Sequence, residues 1–306
     1  MSGHHHHKVD KSDMQEYATL VKIATSASVI SALIIIIGKL IGWAMTDSLA
    51  ILASLTDSLL DIVASVINLI AARYSLQPPD HKHRFGYGKA EDLAVFTQSS
   101  LFGISGIFLL VNAAKRMMYP EPIENNMIGI WIMAFSMGVT LVLIIIQSYV
   151  IKKTNSQVVR ADQLHYNVDL LSNAFVILSL FLSSKLGYDI IDPLFSIMIA
   201  LYILHGARHL LEGAFKNLMD HEFDEKEQEA IFNIVLQHHE VRGLHDLKTR
   251  YSGPRPFIQF HLELDGNMSL KEAHRIAEEI EAKLLHRFKD AEITIHQDPA
   301  ELYAKV

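Results

Sequence analysis

Six runs of mostly apolar residues, each long enough to cross a bilayer, constrain this chain more than any other feature. They lie near Ile23–Met45, Leu49–Tyr74, Leu93–Met117, Met127–Ile151, Leu164–Leu186 and Ile190–Leu211. A helix of about 20 such residues spans the hydrocarbon core. One run alone is compatible with a buried helix in a soluble core. Six in succession, with "GISGIFLLVNAA" and "VTLVLIIIQSYVI" among them, predict an α-helical membrane protein with six transmembrane helices. Half of the 306 residues are hydrophobic and only 20% are charged, which agrees.

Basic residues near the span ends set the expected orientation. Lys8, Lys11 and Lys22 precede the first span, Arg73, Lys82, Arg84 and Lys89 flank the second–third loop, and Lys152, Lys153 and Arg160 flank the fourth–fifth. The opposite side holds only Lys115, Arg116 and Lys185. The bias predicts both termini in the cytoplasm. The N-terminus lacks the short apolar core and small-residue cleavage site of a secretory signal. Nothing is built on the short tract His4–His7.

Character changes near Asn217. The formal net charge of −7 lies wholly beyond that point, the acidic and basic residues before it being balanced. An acidic tail excludes nucleic acid as the expected partner and suits cations. "DEKEQEAIFNIVLQHH" has helical periodicity, and "LHDLKTRYS" and "FIQFHLELDG" read as strands. In the second strand Ile258, Phe260, Leu262 and Leu264 alternate with polar residues. "SLKEAHRIAEEIEAKLLHRF" is a helix opened by a capping box from Ser269 to Glu272, and "AEITIHQD" is a last strand. The α-β-β-α-β order predicts a small cytoplasmic α+β domain of the ferredoxin-like kind. The expected division is a tail over residues 1–20, a transmembrane domain over 21–214 and a cytoplasmic domain over 215–306.

Charges inside the spans carry the chemistry. Asp57 and Asp61 are four residues apart in "SLTDSLLDIVAS" and share a helix face with Ser54, Ser65 and Asn68. An ionised carboxylate at the bilayer centre costs at least about 2.5–3.5 kcal/mol, bearable if the pair faces the bundle interior and binds a cation. The fifth span repeats the spacing with His165 and Asp169, and Asn173 follows one turn on. Three carboxylates and one imidazole can surround a divalent ion tetrahedrally, and an N/O set without sulfur suits Zn²⁺ and similar ions. The chain has no cysteine, hence no disulfide and no thiolate site.

These segments, with "DHKHRFGYGKAE", "GLHDLKTR", "SLKEAHRI" and "IHQDP", resemble the cation diffusion facilitator family, in particular its bacterial ferrous-iron/zinc efflux branch. The resemblance covers nearly the whole chain after the first twenty residues. It implies six spans, a metallochaperone-like cytoplasmic domain, a homodimer, an inner-membrane location, and exchange of Zn²⁺ for protons. It implies a transport site at Asp57, Asp61, His165 and Asp169, a set associated with zinc and cadmium, iron also being associated with this branch. In the second–third loop the family's Asp-x-x-His-x-x-x-His pattern matches at Asp80 and His83 but meets Tyr87 in its last place. Tyrosine, with a pKa of about 10, is a poor zinc ligand at neutral pH. A weak or absent loop site is therefore expected, His81 being nearby at another spacing. A binuclear cytoplasmic site is implied at His245, His261, His274, His296 and Asp298, beside Gln297. A charge pair between the domains is implied at Lys89 and Asp220, and a hydrophobic gate at Leu164.

The expected function is thus proton-coupled export of Zn²⁺, also Cd²⁺ and Fe²⁺, by alternating access, with Zn²⁺ also as regulatory ligand and no organic cofactor. The rival readings are a passive metal channel and a membrane-bound metal sensor. An intramembrane metalloenzyme is disfavoured, because the chain lacks His-Glu-x-x-His.

Overall fold

The computed structural model describes residues 11–46, 49–118, 127–186 and 191–300. The tract His4–His7 lies outside them. Six long helices come first: α1 (Lys11–Thr46), α2 (Leu49–Ser75), α3 (Lys89–Met118), α4 (Met127–Thr154), α5 (Gln157–Leu186) and α6 (Ile191–Leu218). The smaller part follows as α7 (Glu225–Leu236), β1 (Gly243–Ser252), β2 (Arg255–Leu264), α8 (Leu270–Arg287) and β3 (Glu292–Pro299). Two compact units result, one running Tyr17–Phe215 and the other built on the chain from Lys216 onward. Helix α1 starts at Lys11, so half of the segment expected as tail is helical. "SDMQEYATLVK" lacks Pro and Gly, and nothing in it stops a helix from extending before the span.

The helical unit is built inside out. Thr25, Ser28, Ser65, Asn68, Ser99 and Gln147 are buried, whereas Ile30, Ile41, Leu101, Phe108, Trp131 and Ile145 are exposed. A soluble bundle sorts its residues the other way; a bundle in lipid loses nothing by facing its apolar residues outward and must satisfy its polar ones within. Among the described residues five helices are long and apolar enough to cross a membrane: α1, α2, α3, α4 and α6. Helix α5 is as long, but its first half carries Arg160, Asp162, Gln163, His165 and Asp169.

Two features hold α5 in place. Asn155, at φ 53°, turns the chain sharply between α4 and α5, a conformation asparagine tolerates. The buried Glu91, in the first turn of α3, then caps α5: its Oε1 accepts from Ser156 Oγ at 2.8 Å and from Val158 N at 3.1 Å, and its Oε2 from Tyr17 Oη at 3.2 Å. The Val158 N–H is one of the donors that a helix start otherwise leaves unpaired.

The second unit is a three-stranded sheet in the order β1-β2-β3, with β1 antiparallel and β3 parallel to β2. Ile258, Phe260, Leu262 and Leu264 of β2 are buried with Ile231 and Val235 of α7 and Ile276, Ile280 and Leu284 of α8. The helices therefore cover one face of the sheet, and the alternate residues of each strand lie on the other. Ser269 caps α8 by accepting from Glu272 N at 3.2 Å. The Glu272 carboxylate pairs with Arg275.

Candidate metal centres

The first centre lies between α2 and α5. One ligand atom each of Asp61, His165 and Asp169 falls within 4.8 Å of the others. His165 Nε2 is 3.0 Å from Asp61 Oδ1 and 3.6 Å from Asp169 Oδ2. That nitrogen is buried between the two carboxylates. The imidazole is stacked on Phe102, with ring centres 5.7 Å apart. A buried imidazole nitrogen between two carboxylates is an arrangement in which a divalent cation could replace the proton.

The spacing on each helix explains half of this geometry; the register between α2 and α5 supplies the rest. Ser65 Oγ and Tyr166 Oη are hydrogen-bonded at 2.9 Å. One turn away Asn68 Nδ2 donates to Asp162 Oδ1 at 3.0 Å. Buried Asp162 also accepts from Gln147 Nε2 of α4 at 2.8 Å and from Ser28 Oγ of α1. One carboxylate thereby gathers four helices beside the site. Leu164, next to His165, is buried against Gly206 of α6.

Asp57 is outside the converging three. It lines the cavity of about 200 Å³ that also receives Asp61, Asp169, Lys39, Ser54 and Ser58. Lys39, a lone lysine in "IIIIGKLIGWA", is as costly in lipid as an aspartate. Its Nζ donates to Ser58 Oγ at 2.6 Å and to Ser54 O at 3.0 Å.

The second centre is on the open face of the small sheet. Strand register sets His245 opposite His261, and His261 opposite His296. Asp298, two residues beyond His296, shares their face. Its carboxylate meets all three rings: His261 Nδ1 at 2.7 Å, His245 Nε2 at 3.4 Å and His296 Nε2 at 3.2 Å. Ligand atoms of His245, His261 and Asp298 lie within 4.8 Å of one another. Two carboxylates missed in the sequence stand beside them. Glu263 Oε1 is 2.9 Å from His245 Nδ1, in space left by Gly243, where a Cβ would sit 2.5 Å from Glu263 Oε2. Asp246 Oδ2 is 3.6 Å from His261 Nε2, and the Lys248 ammonium beside it holds its carboxyl below the usual range. Within one chain His274 is not brought to this group. It lies on the exposed side of α8, 3.3 Å from Glu278.

The loop between α2 and α3 gathers His83 and Tyr87 at the Asp80 carboxylate, with His83 Nδ1 3.5 Å from Asp80 Oδ1. Tyr87 Oη donates to Asp80 Oδ2 at 2.7 Å, and Asp80 Oδ1 accepts from the backbone N–H groups of Lys82 and His83 at 2.8 and 2.6 Å. These bonds, the phenol's first, lower the Asp80 carboxyl to about 2, and the same bond pushes Tyr87 up to about 12. Asp220, at φ 55°, accepts from Arg250 Nη1 at 3.1 Å. Lys89 opens α3.

Fold and centres together define a multi-pass helical membrane protein with a carboxylate–imidazole cluster inside its bundle and, among the described residues, two more on a small α+β domain, that of His245, His261 and Asp298 and that of His238, His239 and Glu240. The family model "Cation efflux transmembrane domain" matches residues 25–219, and "Cation efflux protein, cytoplasmic domain" matches residues 223–300. The chain belongs to the cation diffusion facilitator family, whose members are membrane cation-efflux transporters. Protein p34 of Rickettsia rickettsii is 49% identical over 280 residues, 92% of each chain. Cation-efflux pump FieF of Yersinia enterocolitica is 42% identical over 290 residues, 95% of this chain and 96% of that one. The metal-bound C-terminal domain of the CzcD transporter from Thermotoga maritima is 30% identical, covering 28% of this chain and 100% of its own, with a TM-score of 0.25.

Proposed function

We propose that this efflux transporter exports Zn²⁺, with Cd²⁺ and Fe²⁺ as further substrates, from the cytoplasm in exchange for protons. It works by alternating access as a homodimer in the bacterial inner membrane, with both termini cytoplasmic. The observation that carries the reading is the convergence of ligand atoms of Asp61, His165 and Asp169 within 4.8 Å of one another in the bundle. Asp57, lining the same cavity, is the fourth ligand of the proposed transport site. A mixed imidazole–carboxylate set favours Zn²⁺ and its borderline neighbours over Mg²⁺ and Ca²⁺. Ligation needs neutral imidazole and ionised carboxylates, so loading displaces protons and proton return releases the metal. His165, with a reference pKa of about 6.5, is the natural carrier.

The cluster of His245, His261, His296 and Asp298 is the proposed cytoplasmic sensor: metal there tightens the dimer. His274, remote from it in one chain, belongs to the same proposed site only through a second chain. Lys89 and Asp220 are proposed to couple the two domains, and Leu164 to gate the transport site. The loop of Asp80 and His83 is proposed to bind metal weakly or not at all, because the Tyr87 phenol already occupies the Asp80 carboxylate.

The test is metal flux in proteoliposomes at controlled inner and outer pH. Asp61→Ala and Asp169→Ala are expected to abolish Zn²⁺ flux, and persistent flux in either would remove the site. Zinc flux unaltered by collapse of the pH gradient would remove the antiport.

A further inference from the structure

The proposed transport site does not balance its charge with its ligands alone. Asp57, Asp61 and Asp169 each carry one negative charge when they hold a metal, and neutral His165 carries none. A divalent ion among them leaves one uncompensated negative charge inside the bilayer, where an unpaired charge is costly. Among the residues lining the cavity, Lys39 is the one that carries a positive charge. Its ammonium reaches across from α1 to the ligand-bearing face of α2, where Ser54, Asp57, Ser58 and Asp61 follow at helical spacing. It is fixed there by Ser58 Oγ at 2.6 Å and Ser54 O at 3.0 Å. A protonated amine has no lone pair and cannot ligate, so it shares the cavity with the substrate without competing for the coordination shell.

We infer that Lys39 is a built-in counter-cation that brings the metal-loaded site to neutrality and so sets both its affinity and its turnover. With Lys39 the empty site carries two net negative charges, the complement of a divalent ion. Without it the site carries three. Two effects of opposite sign follow. The ion is attracted more strongly, because a repelling cation has gone. The loaded site is no longer neutral, so passage through the dry occluded state is penalised. Lys39 therefore trades affinity for release, which a transporter needs as much as binding.

The inference rests on the assignment of the transport site, and the experiment separates the two. Zn²⁺ binding is measured by calorimetry on the full-length protein in nanodiscs, in a His245→Ala/His261→Ala background that silences the tail cluster, and flux is measured on the same variants in proteoliposomes. Asp61→Ala should lower the number of Zn²⁺ ions bound in that background, whatever the His238, His239 and Glu240 group of the small domain retains. If it does not, the site assignment fails, whatever Lys39 does. Lys39→Gln should bind Zn²⁺ about tenfold tighter or more, with KM and kcat both lowered. Lys39→Arg, which keeps the charge, should stay within about threefold of wild type, and so should Ser58→Ala, which removes the hydrogen bond and keeps the charge. A role in helix packing alone predicts that Lys39→Gln and Ser58→Ala behave alike and that neither tightens binding. Lys39→Gln with wild-type or weaker affinity overturns the inference. If Lys39→Gln does not fold, Lys39→Met serves the same comparison, and an Arg variant that behaves as the neutral ones overturns it equally.

Discussion

Gly206→Ala tests the packing that holds His165 in place. A Cβ built on Gly206 would lie 2.8 Å from both Leu164 methyl carbons and 3.4 Å from its Cγ. Leu164 is 8% exposed, so it has little room to turn away. Overpacking of this kind costs about 1–3 kcal/mol. Alanine also gains about 1 kcal/mol over glycine in a helix interior. The clash outweighs the gain by up to about 2 kcal/mol, and the apparent Tm at fixed scan rate in nanodiscs should fall, by up to roughly 8 °C. Gly213→Ala on the same helix is the control. Nothing lies within 4 Å of a Cβ there, so only the propensity gain acts and Tm should rise by about 2–4 °C. Leu164→Ala alone opens a cavity at a cost of about 2–5 kcal/mol. In the Gly206→Ala background the added methyl fills part of that space, so the double variant should lose about 1–2 kcal/mol less than the sum of the single losses. A Gly206→Ala protein that melts at or above wild type, or strict additivity with Leu164→Ala, refutes the reasoning.

The loop between α2 and α3 gives a pH signature at both ends of the scale. The folded Asp80 carboxyl is depressed to about 2, so its contribution to loop order is present above its ordinary value of about 4 and is lost as pH falls through 2. Tyr87 is raised to about 12, so its contribution is present below its ordinary value of about 10 and is lost as pH rises through 12. Carbon-13 spectra of Asp-labelled protein should show the Asp80 midpoint return toward about 4 in Tyr87→Phe. Glu91→Ala deprives Ser156, Val158 and Tyr17 of an acceptor in a buried place and should cost about 2–4 kcal/mol in thermal melts, whereas Glu91→Gln, which keeps one oxygen, should cost less. Asp298→Ala removes the carboxylate common to three imidazoles, and metal analysis of the purified full-length chain should find fewer bound ions than in wild type.

The parts of this molecule that were legible in the chain are those written locally. Lipid demands long apolar runs, so α1, α2, α3, α4 and α6 stand out residue by residue. Alternation along "FIQFHLEL" announced β2, because one face of that strand is buried under helices. The four-residue spacings of Asp57 with Asp61 and of His165 with Asp169 are equally local, since a helix turns them to one side. What was not legible is pairing at a distance. His245, His261 and His296 look unrelated along the chain and become neighbours only through the register of three strands. Asp246 and Glu263 join them for the same reason, while His274, on a helix covering the opposite face, does not. Lys39 is the instructive omission, because its signal was present. Inside a membrane every polar side chain must find its partner within the bundle, so Ser28, Lys39, Ser58, Ser65, Asn68, Gln147 and Asp162 together already name the interhelical contacts. The chain states which residues must be satisfied, and only the packed helices state by whom.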